Sequence, residues 1–206
     1  MKKDKVVIGI DQSYQDTGIT VTINGKVKAV TDCYTANCKT NTEKRYMLGN
    51  KLKQVIEFVI HKGYNPINPN IEIICVIERI RLRSQGFLNI NYIKGIGALN
   101  ALIVDKMLQY HIETYSVDTR AWKSTIIGTS KGMENNLGID PKKYPTILWC
   151  KKQGYEKHIL EPATDKKQKG VIEKNGKRFI YNDNKADSIG ISLYGFTNKP
   201  KFEKEK

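Results

Sequence analysis

Four acidic residues stand where a carboxylate is costly unless something positive meets it. Asp11 closes the apolar run "VVIGID" and Glu78 closes "IEIICVIE", so each sits at the tip of a segment that belongs in a core. Asp183 and Asp187 are four apart in "NDNKADSIGISL", a spacing that puts both on one helix face. Ionised carboxylates near an apolar interior lose hydration and need a cation or hydrogen-bond partners. If the two apolar runs are neighbouring strands, Asp11 and Glu78 lie side by side at one end of a sheet. Like charges that close repel unless a divalent cation stands between them. Mg²⁺ takes few carboxylates and keeps water and phosphate oxygens as its other ligands. Two such ions with Asp11 bridging them suit phosphodiester cleavage, one orienting the attacking water and the other stabilising the departing 3′ oxygen. Each acid alone also has an ordinary explanation. A strand-terminal Asp is a common turn residue, Glu78 can pair with Arg79 or Arg81, and Asp183 can cap a helix.

The same stretches carry cations. "ERIRLRS" sets Arg79, Arg81 and Arg83 at period two directly after Glu78, so on extended chain they share one face. Lys123 lies in "AWKSTIIG", and Lys131 follows a Gly-Thr-Ser loop whose backbone N–H groups could help hold a phosphate. Over all 206 residues, 35 Lys and Arg face 21 Asp and Glu, a net charge of +14, which points to a polyanionic partner. Residues 142 to 178 hold eleven of the basic residues against four acids. No apolar run reaches the roughly 18 to 20 residues of a membrane span, and no secretory apolar segment follows the Lys-rich start, so a cytoplasmic protein is expected. The four cysteines show no C-x-x-C spacing and the three histidines are far apart, which argues against zinc and for reduced, structural thiols.

The elements that must position the acids follow from periodicity. Residues 5 to 11, "DTGITVTING" and "KVKAVTDCYT" read as a three-stranded meander with Asn24-Gly25 as a tight turn. "TNTEKRYMLGNKLKQVIEFVIHKG" switches to helical period, with Leu48, Leu52, Val55, Ile56 and Val59 on one face, Thr40 and Glu43 as a capping box, and Gly63 closing it. Residues 71 to 78 are apolar enough for a strand buried on both faces. Residues 91 to 110 form a helix apolar nearly all round, which is either deeply buried or a dimer contact. "HIETYSV" is a fifth strand, "DTRAWKSTIIGTSKG" a short helix and loop, "PKKYPTILWCKKQGYEK" helical after Pro145, "GVIEKNGKRFIY" a hairpin, and "DNKADSIGISLYGF" a last helix. The tail after Thr197 is expected to lie loose. This order belongs to an α/β protein with an RNase H-like mixed five-stranded sheet flanked by helices. It forms one domain over residues 1 to 197, with a basic insertion at about 133 to 180 and a basic tail at 198 to 206.

Four segments in order, "IGIDQSYQDTGITV", "VIERIRLRS" with "NYIKGIGALNALIVD", "SVDTRAWKSTIIGTSKG" and "NDNKADSIGISL", resemble the signature segments of RuvC-like Holliday-junction resolvases, the bacteriophage variety most closely. The resemblance spans residues 5 to 131 and 183 to 195. It implies a homodimeric, structure-selective endonuclease that resolves four-way junctions, with forks and flaps as further branched DNA substrates, using two Mg²⁺ per active site, Mn²⁺ substituting, in a bacterial host cytoplasm if phage-encoded. The implied catalytic and metal residues are Asp11, Glu78 and Asp187, with Asp183 as the fourth acid and Asn184 held in reserve. It also implies that Lys123 lies near the scissile phosphate and that an apolar tip, Phe87 or Leu88, separates bases at the branch point. Two departures stand out. Gln12-Ser13 replaces the Pro-Gly that follows the first acid in cellular members, and the 133 to 180 segment is longer than theirs. Rival readings are an actin-like or sugar-kinase ATPase, for which the chain lacks length and Gly-rich loops, a non-catalytic branched-DNA binder, and an RNA/DNA-hybrid ribonuclease on the same fold.

Overall fold

The computed structural model describes residues 3–79, 90–128, 139, 141, 143–163, 170–197 and 203–204. Three antiparallel strands open it: β1 (Asp4–Asp11), β2 (Asp16–Ile23) and β3 (Lys26–Tyr34). Between β2 and β3, Asn24 (φ 49°) and Gly25 (φ 77°) both take positive φ, as a two-residue hairpin turn matched to strand twist requires. The helix α1 (Asn41–His61) starts at the expected box, with the Thr40 side chain accepting from the Glu43 N–H and the Glu43 carboxylate from the Thr40 N–H. All five apolar residues expected on its inner face are buried. Then come β4 (Ile71–Glu78), α2 (Ile90–Leu108), β5 (Glu113–Val117) and α3 (Thr119–Ile126).

Strand order in the main sheet is β3-β2-β1-β4-β5, with β1, β4 and β5 parallel and the first hairpin antiparallel. This is the expected five-stranded mixed sheet. α1 and α2 pack with β1, β2 and β4 around one core, and a smaller core on the opposite face gathers Val7, Ile74, Val76, Val117, Trp122, Ile191 and Tyr194.

The insertion folds onto the last helix. Its described residues form α4 (Tyr144–Lys152), α5 (Glu156–Ile159) and a small antiparallel sheet of β6 (Leu160–Pro162), β7 (Ile172–Lys174) and β8 (Lys177–Tyr181) in the order β6-β8-β7. The hairpin at Asn175-Gly176 was legible in the sequence; its third strand, only three residues long, was not. β8 runs straight into α6 (Asp183–Thr197). The tail, expected to lie loose beyond Thr197, returns to the main sheet at β9 (Glu203–Lys204), which pairs antiparallel with β5 as a sixth, two-residue edge strand.

Candidate active site

Strand alternation decides where the first two acids point. In β1, Val6, Ile8 and Ile10 face the α1/α2 core, while Val7 packs on the α6 side; Asp11 keeps the phase of Val7 and Gly9. In β4, Ile73, Cys75 and Ile77 face α1/α2, while Ile74 and Val76 face α6, and Glu78 keeps their phase. The strands run parallel in a register that ends at Ile10 beside Ile77. Asp11 and Glu78 therefore leave the same end of the sheet on the same face.

Helix α6 lies unusually close to that face because small residues meet across it. A Cβ on Gly9 would stand 2.5 Å from the Ser192 backbone N, and one on Gly18 only 2.1 Å from the Asn184 carbonyl oxygen. Buried hydroxyl pairs lock the contact, Thr20 with Ser188 at 2.7 Å and Thr22 with Ser192 at 2.8 Å. Asn182 caps the helix, its Oδ1 accepting from the Lys185 N–H at 2.9 Å. The result sets Asp187 and Asp183 against Asp11. Burial first, then the charges of Asp187, Glu78 and Asp183, push the Asp11 carboxyl well above the usual Asp range, against the opposing pull of Lys123. Burial likewise raises Asp187, with Lys123 opposing.

Two lysines supply positive charge. Lys123 Nζ stands 2.9 Å from Asp187 Oδ2. Burial works against its ammonium, but Asp187, Glu78 and Asp11 together raise its pKa. Lys143 Nζ stands 2.7 Å from Asp183 Oδ2. Glu78 is held from the other side, accepting from the Thr119 hydroxyl at 2.5 Å and from Trp122 Nε1 at 2.9 Å. Among the described residues, no group of three or more His, Cys, Asp or Glu side chains is set at metal-holding spacing. The donor chemistry nevertheless fits a hard divalent cation: oxygen ligands alone, negative, and mutually repelling around Asp11.

Sequence reasoning missed four contributors. Trp122 is fully buried and its ring fills the space that a Cβ on Gly190 would take, so it fixes α3 against α6 as well as orienting Glu78. Thr119 could have been found, because Asp118 is a plain N-cap after a strand and the next residue must then sit at the strand tip. Lys143 gave no signal. Gln12 was noted only as a departure from Pro-Gly, yet both polar atoms of its carboxamide are buried without a hydrogen-bond partner, directly beside Asp11. A buried amide left unmatched costs about 1–3 kcal/mol. Gln12→Met is therefore expected to raise the melting temperature by about 2–12 °C, at about 2–4 °C per kcal/mol for a chain of this size, as scanning calorimetry would record.

Asn184, the alternative fourth acid position, turns elsewhere. Its Nδ2 donates to Asp16 Oδ2 at 3.1 Å, as does the Asn182 Nδ2 at 2.9 Å. Lys185 binds Asp32 at 3.0 Å and Glu161 at 2.5 Å, tying β3 and the insertion to α6. Of the expected DNA contacts, Lys123 lies among the acids, and Arg79 follows β4 with its N–H on the Val117 carbonyl at 2.8 Å. Arg81, Arg83, Phe87, Leu88 and Lys131 lie outside the described residues. All four cysteines are free, and burial raises the thiols of Cys33, Cys75 and Cys150, the first to about 11. Among the described residues no helix is long and apolar enough to cross a membrane.

No family model matches the chain, and no curated protein does. Solved structures do. RuvC of Thermus thermophilus superposes with a TM-score of 0.57 at 13% identity, covering 97% of this chain and 99% of that one. The fold is RuvC-like. T. thermophilus RuvC in complex with a Holliday junction substrate gives the same TM-score at 11% identity, covering 98% of this chain and 99% of the other. Both likenesses span nearly the full length of each chain, at identities that speak for the fold alone.

Proposed function

We propose that the chain is a metal-dependent endonuclease that resolves four-way DNA junctions. The observation that carries this reading is the convergence of Asp11, Glu78, Asp187 and Asp183 on one end of a RuvC-like sheet, close enough that the other three raise the Asp11 carboxyl. A protein that only bound DNA would gain nothing from gathered carboxylates where phosphates approach. The likeness to a RuvC that holds a Holliday junction, and the net charge of +14, favour branched DNA as substrate. Asp183 rather than Asn184 is the fourth ligand in this reading, since Asn184 is engaged by Asp16.

Asp11, Glu78, Asp183 and Asp187 would hold divalent ions, which would supply the positive charge for activating water and stabilising the leaving 3′ oxygen. The chain's own residues set the stage for that step. Trp122 and Thr119 hold Glu78 in one orientation through two donors. Lys123, on a short helix anchored by Trp122, keeps a cation beside Asp187, where in this reading it would meet the scissile phosphate. In this reading Arg79, Arg81, Arg83 and Lys131 would contact DNA phosphates and Phe87 would separate bases at the branch point. Cutting two strands symmetrically needs two copies of the site, hence a homodimer. The exposed Ile90, Tyr92 and Leu108 of α2 offer apolar surface for it.

The deciding experiment incubates labelled junction, fork, flap and RNA/DNA-hybrid substrates with the protein and Mg²⁺. Paired nicks in the junction leaving 5′-phosphates are expected, with Mn²⁺ substituting and EDTA abolishing them. Tight junction binding without any cut would leave the chain a branched-DNA binder, and preferential hybrid cleavage would make it a ribonuclease.

A further inference from the structure

The cation on Asp183 comes from the part of the chain that the sequence resemblance does not reach. Lys143 immediately precedes α4, and α4 is fixed against α6 independently of the ion pair. Ile147 and Cys150 are buried with Ala186 and Ile189, the Cys150 thiol facing the Ala186 carbonyl at 3.8 Å. Further along the insertion, the Asn182 N–H donates to the Ile159 carbonyl at 2.8 Å, and Lys185 holds Glu161. The described part of the insertion is thus joined to α6 by buried packing, a backbone hydrogen bond and an ion pair, and this places Lys143 beside the first turn that carries Asp183.

We propose that Lys143 is a tethered counter-cation, whose ammonium holds Asp183 until a divalent ion takes that carboxylate, so that the insertion sets the ion affinity of the site. This rests on the reading of Asp183 as an ion ligand. Both side chains are partly solvated, 49% exposed for Lys143 and 27% for Asp183. Such pairs are weak, so the tether yields to an ion and lowers its affinity only severalfold. Lys123 guards Asp187 from α3 in the same way, but it belongs to the segments shared with the resolvases. Lys143 does not.

The test titrates Mn²⁺ into the metal-free full-length protein and reads free Mn²⁺ by electron paramagnetic resonance, without DNA or turnover. Lys143→Met is expected to tighten Mn²⁺ binding about three- to fivefold, and Lys143→Arg to bind as the wild type does. In an Asp183→Asn background, Lys143→Met is expected to change nothing. Wild-type affinity in Lys143→Met, or an undiminished effect without Asp183, overturns the proposal. If the wild type takes up Mn²⁺ normally and only the lysine effect is missing, this inference alone falls; if it takes up none, the ion site of the proposed nuclease falls with it.

Discussion

Asp11→Asn is expected to leave junction binding intact and to lower cleavage about a thousandfold or more, the worth of several kcal/mol of charge stabilisation at the reacting phosphate. The same substitution makes the metal-free protein more stable near neutral pH, because two consequences flow from one cause. Burial and the charges of Asp187, Glu78 and Asp183 hold the Asp11 carboxyl above its ordinary range. A folded-state pKa above the unfolded value means that the native state binds the extra proton, so this contribution is fully present below the unfolded pKa and is lost as pH rises through the folded one. Asparagine cannot ionise and escapes that loss. Calorimetry in EDTA should show Asp11→Asn melting above wild type at pH 7, with the difference shrinking toward pH 4. Retained cutting would remove Asp11 from the chemistry. A variant that stops cutting but is no more stable at pH 7 would contradict the crowding of charge that the site displays.

The route from sequence to site was legible wherever a residue's role follows from its own strand or helix. Period-two alternation in "VVIGID" and "IEIICVIE" is enough to put Asp11 and Glu78 on one face, and four-residue spacing pairs Asp183 with Asp187. The capping box at Thr40 and the turn at Asn24-Gly25 are equally local. What escaped depends on contacts between distant segments. Nothing near Trp122 says that Gly190 leaves room for its ring or that its N–H meets Glu78 across 44 residues. Lys143 resembles any other lysine of a basic stretch until α4 docks on α6. The tail strand β9 pairs through its backbone, a choice that two residues of composition do not encode. The buried amide of Gln12 marks the opposite case, in which the local departure was visible and its cost was not.

Gly18→Ala is expected to damage the site through the fold rather than through charge. Its new Cβ would fall 2.1 Å from the Asn184 carbonyl oxygen and 2.4 Å from the carbonyl carbon, which are backbone atoms in the first turn of α6 and not the mobile end of a side chain. Either β2 or α6 must give way, an overpacking that costs about 1–3 kcal/mol and at times more. For a chain of this size that is a fall of about 2–12 °C in melting temperature. The helix cannot shift alone, since its first turn carries Asp183 and Asp187 follows one turn on. A displacement near 1 Å at reacting groups is enough to cost about a hundredfold in rate, so cleavage should fall far more than stability does, at temperatures where the variant is fully folded. Gly49→Ala provides the control. It lies inside α1, where a Cβ would meet only Leu102 Cδ1 at 3.9 Å, an ordinary contact, and the helix gains about 0.5–1 kcal/mol from the loss of a glycine. Equal and small effects of the two substitutions on melting and cleavage would mean that the close seating of α6 on β2 does not set the geometry of the acids.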